Sequence, residues 1–397
     1  MVALNAPELD IDLFRDEVLT DPYPVYARMR AKAPVVWLPA NDFYAVVSYA
    51  EARAALLDHD ALVSGRGVGF NDDFNRVRSG SIIASDAPRH DVLRSVLSER
   101  LGPRALRDVE KMIKARAESL VADAVERGSF DAIKDFAEVF PVEVVGELIG
   151  VPADKRHQLL RWANGGFNAF GPAGNERTSA GLAAIGEQFN YIRTIATRDQ
   201  MIPGSMGAAV YDAADAGTIS ADDCLPLLSA YLTAGMDTTV NAIGAMVQLL
   251  AHNPEQWSEL QDHPELSPSV VNEVLRIEAP AQFFGRVAAR DVEIGGYLIP
   301  EGARLAIVYA SANRDERQYP DPDSFDIRRN PAGHLTFGAG IHACAGQYLA
   351  KLELRAMLDE MIKQVGEITV GEPVRKINNV LRGLSQLPAA FQQARTE

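Results

Sequence analysis

Cysteine is almost missing: in 397 residues there are only Cys224 and Cys344. Two cysteines that far apart form neither a disulfide framework nor a tetrahedral zinc site. Histidine is also scarce, with seven residues and no pair at metal-ligand spacing on a helix, so a metal centre here requires a prosthetic group. Positive charge is in deficit. Lys and Arg number 39 against 54 Asp and Glu, a formal charge of -15, which excludes a general nucleic-acid binder and adhesion to anionic membranes. No apolar run opens the chain. Met1 to Thr20 is mixed and acidic, so no signal peptide or membrane anchor is visible and a cytoplasmic protein is the expectation. Repeats, low-complexity tracts and linkers are missing as well, and residues 1–397 read as one domain. What is present, 47% hydrophobic and 23% charged residues, suits a globular chain long enough to bury a large core.

Helical periodicity dominates. It runs from Tyr49 to Asp58, Ala87 to about Gly128, Ala132 to Gly150, Asp154 to Gly166 and Ser179 to Arg198. Val35–Leu38 and Phe43–Val47 read as strands of a hairpin, and Phe283–Ala289, Val292–Leu298 and Arg304–Val308 as further short strands. Ser64–Ser81, with Gly65, Gly67 and Gly69, reads as a long irregular loop. Ser220 with Asp222 and Asp223 starts an unusually long helix to His252, apolar nearly all round, of the kind found inside a large protein. The fold class is therefore mainly α with small β-sheets.

Three constellations carry chemistry. The first is Phe337-Gly338-Ala339-Gly340-Ile341-His342-Ala343-Cys344-Ala345-Gly346, followed at once by an apolar helical run. Small neighbours leave room for a large flat group to approach the Cys344 sulfur, and a helix starting there aims its amides at a thiolate. Such a sulfur can ligate a haem iron, whereas a lone cysteine is otherwise a small core residue. The second is Gly235-Met236-Asp237-Thr238-Thr239, the one polar island in the long helix. The Thr238 hydroxyl can bond back to the Ala234 carbonyl, loosening a groove at Ala234 and Gly235, while Asp237 and Thr238 form an acid–alcohol pair able to pass protons. A solvent-facing Asp and an ordinary back-bonded Thr are the plain alternative, less suited to so apolar a helix. The third is Glu273 and Arg276 at i, i+3, with Arg329 available as a third member.

In this order and spacing the three resemble the cytochrome P450 haem-thiolate monooxygenases of the bacterial soluble type, along essentially the whole chain. The resemblance implies a single triangular fold with a long central helix over a haem b. Cys344 would be the axial metal ligand, with Phe337, Gly338 and Gly346 around its sulfur. His342, Arg286, His90 and Arg94 would hold the haem propionates, although each taken singly suits an ordinary surface charge better. Ala234 and Gly235 would form the oxygen groove, Asp237 and Thr238 would be catalytic, and Glu273, Arg276 and Arg329 a structural cluster. Electrons would come from a ferredoxin with its reductase, or a flavin/iron–sulfur reductase, docking on the cysteine side. Arg89, Arg100, Arg104 and Arg107 are a candidate docking patch or a solvated helix face.

Phe167-Asn168-Ala169-Phe170-Gly171, Ser311–Asp315 and Asn378–Leu384 are similar to the branch that oxidises para-methoxybenzoates and related methoxyaromatics. That resemblance implies Phe167 and Phe170 on either side of a substrate ring, lined further by Phe284, Leu381, Ala230, Thr233 and Ser81. The branch holds the substrate carboxylate with an arginine–serine pair one turn before the polar island, where this chain has Ser229-Ala230; Ser81 with Arg76 or Arg78 could substitute. A methoxyphenol lacking the carboxylate therefore stands beside the methoxybenzoate, and O-demethylation with loss of formaldehyde is the expected reaction. Hydroxylation of a terpene or biosynthetic intermediate is the alternative. A haem-based ligand-binding or sensor protein is the non-enzymatic one, disfavoured by the acid–alcohol pair.

Overall fold

The computed structural model describes residues 4–394. Helices form most of it, and the strands gather into small sheets at its margins. Val35–Leu38 and Phe43–Val46 pair antiparallel, with Val35 opposite Val46. The pair joins a five-stranded sheet through a parallel ladder to Arg304–Ile307, followed by Phe284–Ala288 and Leu62–Val63. A two-stranded hairpin, Val374–Ile377 with Arg382–Gln386, carries the tight Asn378–Leu381 turn.

Several expected elements are divided where local chemistry demands it. The run from Ala87 breaks into Arg89–Leu101 and Pro103–Arg127, because Pro103 has no amide to continue a helix and fits the first helical position. Val292–Leu298 is not one strand but a hairpin, Val292–Ile294 with Tyr297–Ile299, since Gly295 and Gly296 both take positive φ (59° and 86°). Ser64–Ser81 is not wholly irregular either. Asp72–Arg78 is a helix capped by Asn71, whose Oδ1 accepts from the Phe74 amide at 2.7 Å. The glycines before it masked an N-cap followed by two acidic residues.

The long interior helix is present as two consecutive segments, Ala221–Ala234 and Asp237–His252. Ser220 and Asp223 close a capping box at its start. The interruption falls at Gly235–Met236, where Thr238 Oγ1 donates to the Ala234 carbonyl (2.9 Å) and Thr239 Oγ1 to that of Gly235 (3.4 Å). Hydroxyls competing for helix carbonyls beside a glycine open the ladder.

Glu273 and Arg276 are completely buried and meet through two hydrogen bonds of 2.7 Å. Arg329 Nε reaches Glu273 at 3.0 Å, and Arg276 Nη1 donates to the Asn313 carbonyl (2.9 Å). Deleting one partner of such a pair strands a buried charge, at a cost of about 3–5 kcal/mol. From Asn313 the network continues: its Oδ1 accepts from the Leu335 amide (2.6 Å) and its Nδ2 donates to Thr336 Oγ1 (2.8 Å). The pair thus pins the entrance of the cysteine loop.

Glu353, on the helix Gln347–Gln364 that leaves this loop, has no such partner among the described residues. It is buried, its Oε1 has no hydrogen-bond partner, and burial pushes its carboxyl from 4.5 up to about 8. The folded protein keeps a proton that the unfolded chain gives up above about pH 4.5, so stability falls as pH rises from about 4.5 to about 8 and is level beyond. Glu353→Gln is expected to remove that slope and gain a few kcal/mol at pH 8; chemical denaturation at pH 5 and pH 8 measures both, and an unchanged slope refutes the assignment.

Candidate functional site

The cysteine loop is built by its glycines. Gly338 and Gly340 sit at φ 68° and 71°, and a Cβ on Gly340 would lie 2.5 Å from the Leu56 carbonyl oxygen. The Cys344 amide donates to the Phe337 carbonyl at 2.8 Å, and Gly346 precedes the helix that begins at Gln347. Burial pushes the Cys344 thiol up, while the Gly346 amide and the Arg94 charge pull it back. These are the donors that favour a thiolate once a Lewis acid is bound. Lys351 Nζ lies 5.5 Å from the Phe337 ring centre, flanking the same loop.

Positive charge converges beside the sulfur. The rings of His90 and His342 are 4.4 Å apart, and Nε2 of each is buried without a hydrogen-bond partner. Arg94 Nη1 donates to the Ala343 carbonyl (2.6 Å) and Arg286 Nη1 to that of Gly285 (2.7 Å). Burial, then Arg286, His90, Arg94 and His59, push His342 down to about 3. Among the described residues, Asp91 beside His90 is the one carboxylate paired with any of these four groups. Two guanidinium groups and two imidazole donors gathered so closely call for an anion, and the two propionates of a haem meet that demand. His90, Arg94, Arg286 and His342 would hold them, with Cys344 as the iron ligand. Cys224 is a core residue, buried and with its thiol pushed up, mainly by desolvation.

The interrupted helix carries the polar island. Ala230, Ala234 and Thr238 form one stripe at i, i+4 spacing, and with Gly235 they keep accessible surface although Leu232, Thr233, Met236 and Asp237 around them are buried. A strip of small residues open in so apolar a helix leaves space for a flat macrocycle and a small ligand. Asp237 does not turn to Thr238. It is 1% exposed, and its Oδ1 accepts from Lys376 Nζ (2.8 Å) and its Oδ2 from Asn164 Nδ2 (2.9 Å).

Phe167, Phe170, Leu381 and Phe284 share one apolar cluster. Phe167 is stacked with Phe170 and with Phe284, at centroid distances of 6.2 and 6.4 Å and interplanar angles of 21° and 24°. Phe74 joins them, 4.1 Å from Phe170. It went unseen in the sequence because its helix reads as loop. Arg76 and Arg78 separate cleanly: Arg76 is exposed and paired with Asp73, whereas Arg78 points inward. Arg78 is 6% exposed and has no carboxylate partner among the described residues; its Nη1 donates to Ser229 Oγ (2.8 Å). Its guanidinium lies over Phe74 and Phe189, and burial pulls it down to about 10, still charged at neutral pH. Ser81 is buried nearby in sequence with Oγ unpartnered, while the Thr233 hydroxyl is engaged with Gln188. Of the proposed docking arginines, Arg89 is committed to Asp223 (2.6 Å) and the Gly80 carbonyl, so it is not a free surface charge. Among the described residues no helix is long and apolar enough to cross a membrane.

A family model for cytochrome P450 matches residues 256–365. The chain is 37% identical to cytochrome P450 CYP199A2 of Rhodopseudomonas palustris, over 97% of this chain and 94% of that protein. It is 32% identical to the 6-deoxyerythronolide B hydroxylase of Saccharopolyspora erythraea, over 97% and 98%. Among solved structures, CYP109Q5 from Chondromyces apiculatus superposes with a TM-score of 0.83 at 31% identity, covering 98% of this chain and 99% of that one. CYP268A2 of Mycobacterium marinum, in complex with pseudoionone, gives 0.87 at 28%, covering 97% and 99%. The chain belongs to the cytochrome P450 family: it is a haem-thiolate monooxygenase that consumes O2 and takes its electrons from an external redox partner.

Proposed function

We propose that the enzyme O-demethylates a small para-methoxyaromatic acid, releasing formaldehyde. The observation that carries this reading is Arg78, a buried cation whose side chain donates to the Ser229 hydroxyl and meets no carboxylate among the described residues. Burying a guanidinium without a counter-ion is costly unless a ligand brings the charge. Arg78 lies against Phe74, Phe74 against Phe170, and Phe170 against Phe284, 5.0 Å away. An anionic head at Arg78 and Ser229, followed by a planar ring among the phenylalanines, suits an aryl carboxylate. The substrate carboxylate would then be held by Arg78 with the free Ser81 hydroxyl, replacing the arginine–serine pair absent at Ser229-Ala230.

The haem, when bound, supplies the reduction and cleavage of O2. Ala234 and Gly235 leave the room, Thr238 rests its hydroxyl on the Ala234 carbonyl, and Asp237, which is hydrogen-bonded to Lys376 and Asn164 and not to Thr238, would pass protons toward it through intervening water. The methyl carbon gains oxygen to give a hemiacetal, ArOCH2OH; two electrons and two protons reduce the second oxygen to water, and the hemiacetal divides into the phenol and formaldehyde. A ferredoxin with its reductase, or a flavin/iron–sulfur reductase, is the proposed donor, docking on the cysteine side.

Cys344→Ser is expected to abolish the red-shifted Soret band of the reduced carbon monoxide complex; a retained band overturns the ligand assignment. Thr238→Ala should divert electrons to peroxide, lowering product per O2 consumed, and unchanged coupling removes its role. Titrating the spin-state shift with methoxybenzoates, methoxyphenols and terpenes tests the substrate. Arg78→Leu is expected to weaken 4-methoxybenzoate binding by about 10- to 100-fold, the span of one charge-assisted pair, and to leave neutral methoxyphenol nearly unchanged. Tight binding of terpenes alone, or equal loss for acid and phenol, rejects the proposal.

A further inference from the structure

Both oxygens of Asp237 are taken, one by Lys376 and the other by Asn164, and Asn164 is the first of a chain of asparagines. Asn168 Nδ2 donates to Asn164 Oδ1 (3.2 Å), one helical turn on. Asn168 Oδ1 in turn accepts from the Asn379 amide (3.0 Å), and its carbonyl from Asn379 Nδ2 (2.7 Å). Asn378 Nδ2 donates to the Asn164 carbonyl (3.2 Å). From the other side, Asn71 Nδ2 donates to the carbonyls of Ala169 (2.8 Å) and Gly171 (2.6 Å), and the Phe70 amide to that of Phe170 (2.8 Å). The stretch 164–171 is therefore strapped at both ends by side-chain amides. It carries Phe167 and Phe170 on one side and the clamp on Asp237 at its start.

Neutral amides suit this task. Each offers a donor and an acceptor, so the strap is satisfied internally and adds no charge beside the Asp237–Lys376 pair. A shift of the helix end that moves Phe167 must also move or break the Asn164 bond to Asp237, because both sit within one turn of the same helix, Leu159–Asn168. We propose that Asn164 is a positioning residue: it ties the Asp237 carboxylate to the aromatic stretch that meets the substrate, so that proton delivery is in register only when that stretch is seated. This rests on the reading of Asp237 as proton source.

The holoenzyme with its redox partner tests it, using substrates of graded fit. Product per O2, peroxide yield, the solvent deuterium isotope effect and the spin-shift dissociation constant are measured for each. In the unaltered enzyme coupling should track fit. Asn164→Ala, a favourable helical substitution at a partly exposed site, is expected to lower coupling about threefold to tenfold, the range of one hydrogen bond, and to raise the isotope effect. It should also abolish the dependence on fit. Asn379→Ala removes the side-chain bond to the Asn168 carbonyl, keeps the backbone bond to Asn168 Oδ1, does not touch Asp237 and should weaken that dependence. If Asp237→Asn leaves coupling and isotope effect unaltered, the proton-source reading falls and the strap with it. If Asp237→Asn changes both while Asn164→Ala changes neither, the strap alone is overturned, as it is if Asn379→Ala keeps the dependence on fit.

Discussion

The arrangement around Cys344 rests on unbalanced positive charge. His90, His342, Arg94 and Arg286 come from three separate parts of the chain and are held close together with one carboxylate, Asp91, among them. Burial first, and then the neighbouring Arg286, His90, Arg94 and His59, push His342 down to about 3. A dianionic ligand would reverse the balance: the same groups would become donors and counter-charges, and the energy that opposed folding would favour binding. The loop geometry depends on this too, since Arg94 reaches the Ala343 carbonyl next to the cysteine.

Buried charges elsewhere separate into two kinds. Glu273 and Asp237 are paired and hydrogen-bonded within the chain, the first to Arg276 and Arg329, the second to Lys376. Among the described residues Arg78 has no carboxylate partner, only a serine hydroxyl, and Arg94 and Arg286 donate to backbone carbonyls instead of carboxylates. Paired charges hold elements in place, as Arg276 holds Asn313 and through it the loop start. Unpaired ones mark where the protein is completed by something it binds. Glu353 belongs to neither kind, because a carboxyl held protonated by burial carries no charge to balance.

Much of this was legible in the residues. Phe337 to Gly346 announces a tight, small-sided loop around one cysteine, and the positive φ of Gly338 and Gly340 is what glycine there allows. Thr238 and Gly235 announce a break in an apolar helix, and the break is there. The Asp72–Arg78 helix was hidden because three glycines upstream carry more weight in a local reading than a single Asn71 cap. With it went Phe74 and the choice between Arg76 and Arg78, which helical phase alone decides.

By itself the sequence determined the local backbone: a tight, small-sided loop around one cysteine and an apolar helix that opens beside Gly235, because those depend on neighbours a few positions away. Only the tertiary structure decided which charges are compensated. Asp237 and Lys376 lie 139 residues apart, and Arg78 and Ser229 lie 151 apart. No periodicity relates them. Whether a buried ion finds a partner is a long-range outcome of packing, and it is what separates the clamped acid from the waiting arginine.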